Sequence, residues 1–198
     1  MSSPTLYIIA GANGSGRTTF ALDYTRRHYF PFINADELAK SIAKSTNQDD
    51  LEKVRIKAGR LFFKELEFYL LSGKSFAIES TLSGQYLKNI IIQARSEGYQ
   101  IHLLFVYLDD ASPETNIQRV ATRVLSGGHG VPTEDIIRRF YRSKELFFRI
   151  YQDLCDKWML YCNSDATFEE IAYGEGESIT VLNPLFFERF SKGVRYDI

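Results

Sequence analysis

Cysteine, histidine and tryptophan are scarce in this sequence of 198 residues, which contains two, three and one of them. Cys155 and Cys162 do not have the spacing of a metal-binding C-x-x-C pair, and the histidines are not clustered. We therefore expect neither a disulfide framework nor a zinc site, and this cysteine usage suits a reducing cytoplasm.

Long hydrophobic runs and an excess of charge of one sign are also missing. No apolar run approaches the roughly 20 residues of a membrane span, and the first residues lack the pattern of a secretory signal. The net charge is −1, so no overall positive field attracts nucleic acid or a membrane surface. We expect a cytoplasmic protein without a membrane partner, and the charge argues against nucleic acid as a partner.

The sequence that remains is that of an ordinary globular protein, with 44% hydrophobic and 25% charged residues. Its length suits a single domain over residues 1–198. Short apolar runs alternate with segments of helical periodicity. The predicted strands are 6–10, 30–33, 75–78 and 100–108, and the predicted helices are 18–27, 34–44, 50–71, 85–96 and 113–125. Asn34, with Glu37 three residues later, has the outline of a capping box at the start of the second helix. This alternation predicts a three-layer α/β fold, with a mainly parallel central sheet and helices on both faces.

The second half of the chain is predicted to carry a helical lid over residues 112–154. It consists of the helix 113–125, a flexible break at 126–131, and a helix from about 133 to 154 that Thr133 caps. The part beyond the lid changes character. We predict three short strands and a closing helix within 157–191.

The clearest motif is Gly11–Thr18, with the sequence GANGSGRT, which fits the phosphate-binding pattern G-x(4)-G-K-[ST] at every fixed position except the lysine. An apolar run precedes it and a predicted helix follows, which is the context that this motif requires. Its glycines let backbone N–H groups surround an anion, and the following helix directs its positive end at the same place. A glycine-rich turn without a ligand is the alternative. The predicted nucleotide-binding residues are Gly11, Ala12, Asn13, Gly14, Ser15, Gly16, Arg17, Thr18 and Thr19.

Two positions of this loop have specific chemistry. Thr18 supplies the hydroxyl that ligates Mg²⁺ in such loops. Arg17 stands where the pattern has a lysine, and it keeps the positive charge while replacing a compact ammonium by a larger planar fork. The sequence leaves open whether the protein is an active, a weak or an inactive enzyme.

Two acidic residues follow predicted strands, where ligands bind in open parallel sheets. Asp36 could accept the proton of an acceptor hydroxyl during phosphoryl transfer, or it could simply be an acid favoured in the first turn of a helix. Glu79 could orient an acceptor or a metal-bound water, or it could be a solvated carboxylate at a strand end.

Arginines are concentrated in the predicted lid. Residues 119–149 contain seven basic and three acidic side chains, a surplus of four positive charges in a chain whose net charge is −1. Arg119 and Arg123 are one helical turn apart, and further arginines follow at 138, 139 and 142. Such helices could close over a triphosphate. The alternative is a solvated basic face, which we expect for Lys144 and Arg149.

Taken together, the segments GANGSGRT, INADE, IESTLSG, RVATRVLSGGHGVP and RRFYRS, in this order, resemble the zeta-toxin-like group of P-loop kinases. The similarity extends from about Leu6 to Ser164. The resemblance implies a kinase-type parallel sheet, ATP–Mg²⁺ as the phosphoryl donor and a small-molecule hydroxyl as the acceptor. In well-known members the acceptor is a UDP-N-acetyl amino sugar, and an antitoxin protein blocks the nucleotide site.

The resemblance also assigns roles to residues. Asp36 would be the general base, Glu79 and Thr81 would help to hold the acceptor and metal-bound waters, and Arg142 would meet the transferring phosphoryl group. Arg17 completes the catalytic set, and the nucleotide-binding set is extended by Arg123, His129 and Arg139.

Some positions depart from the family pattern. His129 stands where plasmid-borne toxins have a phosphate-contacting arginine. Those toxins also have an arginine near Ser83 for the diphosphate of the UDP-sugar, and Cys162 replaces a common aspartate. The missing arginine makes the UDP-sugar uncertain as the acceptor.

Three hypotheses follow from the sequence. The protein is an ATP-dependent kinase of a small molecule, or a nucleotide-binding protein with weak or no transferase activity because of Arg17, or a nucleoside or polynucleotide kinase. The lack of basic and aromatic stripes argues against long nucleic-acid substrates.

Overall fold

The computed structural model describes residues 3–46, 51–109, 112–128, 130–164 and 167–192. Strands and helices alternate through most of the chain, as the sequence predicts. The strands are β1 Thr5–Ala10, β2 Phe32–Ile33, β3 Phe76–Ser80, β4 Gln100–Tyr107, β5 Lys157–Ser164, β6 Thr167–Glu175 and β7 Ser178–Val181. The helices are α1 Arg17–His28, α2 Ala35–Thr46, α3 Leu51–Ser72, α4 Tyr86–Ser96, α5 Glu114–Leu125, α6 Thr133–Leu146, α7 Gln152–Leu154 and α8 Pro184–Ser191.

All seven strands belong to one sheet, in the order β2-β3-β1-β4-β5-β6-β7. The first five are parallel to their neighbours, and β6 and β7 are antiparallel. On β1, Ile8 lies beside Ile78 of β3 and Leu103 of β4. The loop that leaves the carboxyl end of β1 therefore emerges near the centre of the parallel part. The predicted α/β fold with a mainly parallel sheet is confirmed.

The two faces of β1 belong to different parts of the core, because successive side chains of a strand point to opposite faces. Ile8 is in the larger hydrophobic cluster, together with residues of α3, α4 and α8. Ile9 is in a smaller cluster, where Phe20 and Ala21 of α1 cover the sheet. Burial on both faces explains why the run LYIIA shows no polar alternation.

The predicted helix 133–154 is not one α-helix. It ends as α6 at Leu146, continues as a π-helical turn over Phe147–Tyr151, and ends in the short α7. Phe147 and Tyr151 are fully buried, so the wider turn places two large aromatic side chains in the core. The residue before α6 is Pro132 and no side chain caps the helix, so the predicted cap at Thr133 is wrong.

Two further boundaries differ from the sequence prediction. Strands β5 and β6 have 8 and 9 residues and are longer than predicted, since they form an antiparallel pair along their whole length. At the start of α2, Asn34 Oδ1 accepts hydrogen bonds from the backbone N–H groups of Asp36 and Glu37, at 2.8 and 3.3 Å. The Glu37 side chain pairs with Lys40, so one half of a capping box is present.

Within the described ranges, no helix is long and apolar enough to cross a membrane.

Candidate functional site

The loop between β1 and α1 has the backbone of an anion-binding nest. Gly11, Gly14 and Gly16 all have positive φ angles, of 146, 81 and 90°, a conformation that glycine adopts at little cost. Gly16 precedes α1, whose first turn contains no acidic residue. The positive end of the helix and the free N–H groups of its first turn therefore face the loop.

Arg17 does not extend into solvent. It is 9% exposed, and its Nε lies 2.5 Å from Glu79 Oε1. Its Nη1 donates to the carbonyl oxygen of Gly11, also at 2.5 Å. The guanidinium thus joins the first residue of the loop to the end of β3, a bridge of several donors that a lysine ammonium would not reproduce.

Glu79 is the centre of a buried network. Besides Arg17, its Oε1 accepts from the Thr18 hydroxyl at 2.9 Å, and its Oε2 accepts from Asn34 Nδ2 at 2.6 Å. Its side chain is 5% exposed. The structure therefore places this carboxylate against the phosphate-binding loop, and the interpretation of Glu79 as a solvated strand end is wrong.

The Thr18 hydroxyl and the Glu79 carboxylate are hard oxygen ligands of the kind that Mg²⁺ prefers. The part of the chain that the structure describes contains no group of three or more His, Cys, Asp or Glu side chains that could hold a metal. A magnesium ion at this position would therefore need oxygens from a bound nucleotide and water in addition. Such coordination is usual for Mg²⁺ in phosphoryl-transfer sites.

Asn34 connects the Glu79 network to Asp36. Its Nδ2 binds Glu79 and its Oδ1 binds the backbone N–H of Asp36. Asp36 itself is exposed in the first turn of α2 and lines the larger of two neighbouring cavities. The link fixes the start of α2, and with it the backbone of Asp36, relative to the loop.

Two neighbouring cavities contact the loop. The larger has a volume of about 480 Å³ and the smaller one about 270 Å³. Asn13 and Arg17 line both. The larger is otherwise lined by Asn34, Ala35, Asp36, Glu79, Ser80, Thr81, Tyr86, Gly130, Val131, Pro132, Asp135 and Arg139. The smaller is otherwise lined by Ala12, Gly14, Gly16, Thr18, Thr19, Arg119, Val120 and Arg123. The two clefts thus meet at Asn13 and Arg17 of the loop.

The arginines of α5 and α6 are placed differently from one another. Arg119 and Arg123 line the smaller cavity. On α6, Arg139 donates from Nη1 to Asn13 Oδ1 at 3.1 Å and lines the larger cavity. Arg142 is exposed and lies outside the linings of both cavities. The structure therefore brings Arg139 to the loop, whereas the family resemblance assigns the catalytic role to Arg142.

Three other predicted residues can be placed or excluded. Thr81 lines the larger cavity, with its hydroxyl 2.8 Å from that of Ser83. His129 lies outside the described residues. Lys144 is buried, 4.4 Å above the Phe140 ring, so its prediction as a solvated side chain is wrong.

Asp135 pairs with two of the α6 arginines. Its carboxylate accepts from Arg138 at 2.7 Å and from Arg139 at 3.3 Å. The Arg138 hydrogen bond, together with the charges of both arginines, lowers the pKa of Asp135 below its ordinary value. Arg139 is therefore held between an acid of its own helix and the phosphate-binding loop.

Two residues of the cleft were not identified from the sequence. Asn34 was interpreted only as a helix cap, although an amide has a second end that can bind another group. Tyr86 lines the larger cavity, and its hydroxyl lies 3.4 Å from that of Ser80. A tyrosine at the start of a helix has no distinguishing pattern, so only the fold reveals it.

The comparisons with known proteins identify a family and a fold. A family model described as Zeta toxin matches residues 1–167. A protein of Haemophilus influenzae, described as uncharacterized, is 30% identical over 131 residues, which make up 66% of this chain and 88% of the relative.

Solved structures show the same fold at low sequence identity. The complex AvrRxo1-ORF1:-ORF2 with ATP has a TM-score of 0.73 at 19% identity, over 96% of this chain and 64% of the matched chain. A structure from the PezAT chromosomal toxin–antitoxin system of Streptococcus pneumoniae has a TM-score of 0.65 at 15% identity, over 99% and 82%. A putative kinase from Chloroflexus aurantiacus has a TM-score of 0.57 at 17% identity, over 69% and 74%. This chain belongs to the Zeta toxin family and has the fold of a P-loop kinase.

Proposed function

We propose that the protein is an ATP-dependent kinase that phosphorylates a hydroxyl group of a small molecule. The observation that carries this proposal is the pair of clefts that meet at Asn13 and Arg17. One cleft contains the anion-binding loop, and the other contains Asp36. A donor phosphate held in the first would present its terminal phosphoryl group to an acceptor in the second.

The smaller cleft has the features of a nucleoside triphosphate site. Its wall is the glycine-rich loop and the start of α1, and Arg119 and Arg123 add positive charge from α5. The similar structure AvrRxo1-ORF1:-ORF2 was solved with ATP, which supports ATP as the donor. Thr18 and Glu79 would hold a Mg²⁺ ion, which neutralises phosphate charge when bound.

The larger cleft has the features of an acceptor site. Asp36 would take the proton of an acceptor hydroxyl while the hydroxyl oxygen forms a bond to the γ-phosphorus and the bond from that phosphorus to the ADP oxygen breaks. Arg139, which contacts Asn13 at the boundary of the clefts, is positioned to neutralise the charge on the transferring group. Arg17, at the same boundary, is the second cation.

The acceptor itself is proposed by family resemblance and by the size of the cleft. A volume of about 480 Å³ suits a metabolite, and the lining hydroxyls of Ser80, Thr81 and Tyr86 suit a polar one. A UDP-N-acetyl amino sugar is our first acceptor to test. Two similar structures, AvrRxo1-ORF1:-ORF2 and one from PezAT, belong to a pair of proteins and to a toxin–antitoxin system, so we also propose an antitoxin partner. The low cysteine content supports our proposal of a cytoplasmic location.

The second candidate function is nucleotide binding with weak or no transfer. The observation in its favour is the engagement of Arg17, whose guanidinium binds both Glu79 and the Gly11 carbonyl. A side chain held by two buried partners must break these contacts to follow a phosphate during transfer. Slow turnover would be the result.

Transfer of label from γ-labelled ATP separates the two functions. The purified protein is incubated with Mg²⁺ and either UDP-N-acetylglucosamine or a metabolite extract, and labelled products are separated. Labelling by the wild-type protein supports the kinase. If the wild-type protein binds ATP without labelling any acceptor, while Arg17→Lys labels one, the active-kinase proposal is wrong and the binding function remains.

Asp36→Asn tests the general base. We expect transfer to fall by roughly 10²- to 10⁴-fold, with little change in ATP affinity, because Asp36 lies in the other cleft. Glu37→Gln is the matched control, since Glu37 is the next residue of α2, pairs with Lys40 and lies outside the described cavity linings. Unchanged transfer by Asp36→Asn would remove this residue from the mechanism.

A further inference from the structure

Two carbonyl groups of the phosphate-binding loop have partners that come from distant parts of the chain. The Asn13 carbonyl accepts a hydrogen bond from Asn116 Nδ2 at 2.7 Å, and the Ser15 carbonyl accepts one from Asn163 Nδ2 at 2.9 Å. Asn116 lies in the first turn of α5, and Asn163 lies near the end of β5. Both side chains are buried, with 1 and 6% exposure.

The direction of these bonds matters for anion binding. A nest forms when successive N–H groups point at the anion, which requires the carbonyl groups between them to point away. In this loop the carbonyls that point away enter the protein interior, where a carbonyl without a donor costs free energy. The two amide side chains supply those donors and so stabilise the conformation that directs N–H groups toward the anion.

The glycines of the motif show how closely these residues approach. A Cβ atom on Gly14 would lie 2.5 Å from the backbone oxygen of Asn116, and one on Gly16 would overlap Nδ2 of Asn163. Both glycines also have positive φ angles. The motif therefore needs glycine at these positions for the contact with Asn116 and Asn163 as well as for the backbone turn.

Each asparagine side chain also has a buried oxygen that lowers the stability of the fold. Among the described residues, Asn116 Oδ1 and Asn163 Oδ1 are buried without a hydrogen-bond partner. A buried acceptor without a partner lowers stability, so packing alone would favour an apolar side chain here. The amide donor to the loop is the contact that compensates.

We propose that Asn116 and Asn163 are positioning residues that hold the phosphate-binding loop in its anion-binding conformation before a nucleotide arrives. The inference rests on the proposed kinase function. Because the two side chains act on the loop and lie outside the acceptor cleft, their contribution belongs to triphosphate affinity. They do not take part in the chemical step.

The test measures binding of ATP and of inorganic tripolyphosphate by calorimetry for Asn116→Ala and Asn163→Ala, together with kcat at saturating ATP. The loss of one such hydrogen bond corresponds to roughly 3- to 10-fold weaker binding. We expect that loss for both ligands, with kcat changed less than about 2-fold. Asn183→Ala is the matched control, because Asn183 caps α8 and binds Glu169, away from the loop. It should lose stability and keep its ATP affinity.

Four outcomes decide the matter. Weaker binding of both ligands at unchanged kcat supports the proposal. Folded variants that bind both ligands as the wild-type protein does overturn it and leave the kinase function standing, as does a loss of kcat at unchanged affinity. A wild-type protein that binds neither ligand overturns the proposed function, and the inference with it. If the alanine variants do not fold, Asn116→Ser and Asn163→Ser replace them, since a serine hydroxyl is too short to reach the loop carbonyl.

Discussion

The phosphate-binding loop and the α5–α6 arginines both line the two clefts, and they are built in different ways. The loop is part of the core: Asn13, Ser15 and Arg17 are buried and bound to distant elements. The arginines of α5 and α6 are mostly exposed. Arg139 reaches the loop, where its Nη1 donates to Asn13 Oδ1.

This difference separates two properties of the site. An anion site assembled during folding binds phosphate without paying further ordering entropy, so nucleotide affinity should depend on the core around the loop. Cations on the surface of a helix pair can move more easily and can respond to a bound ligand. The charge that assists transfer should therefore depend on α6.

The largest expected effect is on the α6 side. Arg139→Gln removes the cation that contacts Asn13, and we expect kcat to fall by roughly 10²-fold or more, in the range known for the loss of one stabilising donor. ATP affinity should change much less. Arg142→Gln is the matched change about one helical turn away. Because Arg142 lies outside the linings of both cavities, we expect kcat to change by less than about 2-fold. Steady-state kinetics of both variants measure kcat, and calorimetry measures ATP affinity.

The reverse result would change the comparison. If Arg142→Gln lowers kcat more than Arg139→Gln does, then α6 must turn or shift when substrates bind, and Arg142 has the role that the family resemblance assigns to it. The ligand-free arrangement of the α6 arginines would then differ from the working one.

The second effect is on the loop side. Gly16→Ala introduces a Cβ that overlaps Asn163 at a residue with φ of 90°, and such strain costs about 1–3 kcal/mol. We expect ATP binding to weaken by roughly 10- to 100-fold if that strain falls on the binding conformation, as calorimetry would show. Gly98→Ala is the matched control, because Gly98 has φ of 82° but open space around its Cβ position. It should lower stability only, and equal ATP affinities of the two variants would contradict the role of close packing.

The fold could be predicted from the sequence because its strands are continuous apolar runs. The run 6–10 became β1 at Thr5–Ala10, and the run 100–108 became β4 at Gln100–Tyr107. The π-helical turn could not be predicted. Phe147 and Tyr151 are four residues apart, which is also the spacing of an α-helical face, so the pattern is the same in both conformations.

The site was predictable to the extent that it is local in sequence. The loop and Asp36 follow directly from motifs beside predicted strands. Asn116 and Asn163 are single residues 103 and 148 positions from the loop residues that they bind, and nothing in their neighbourhood marks them. The choice between Arg139 and Arg142 also needs the fold, because residues three apart on a helix share a face, and periodicity does not say which one meets the loop.

The smallest expected effect concerns the Asp135 pair that holds Arg139. Hydrogen bonding from Arg138 and the charges of both arginines lower the pKa of Asp135 below its ordinary value, which is about 3.9 for a free aspartate. A group whose pKa is lower in the folded protein stabilises it above the unfolded pKa, and this contribution disappears as the pH falls through the folded pKa. Between about pH 5 and 8 the pair should therefore stay charged.

The measurement is the melting temperature of the wild-type protein and of Asp135→Asn as a function of pH. We expect a small difference that is constant between about pH 5 and 8, shrinks below about pH 4, and decreases in high salt, because the pair is partly exposed and screened. A difference that changes near pH 7 would mean that another titrating group controls the α6 arginines. The α6 arginines would then be regulated by pH in the physiological range, whereas the phosphate-binding loop would still be held by the donors of Asn116 and Asn163.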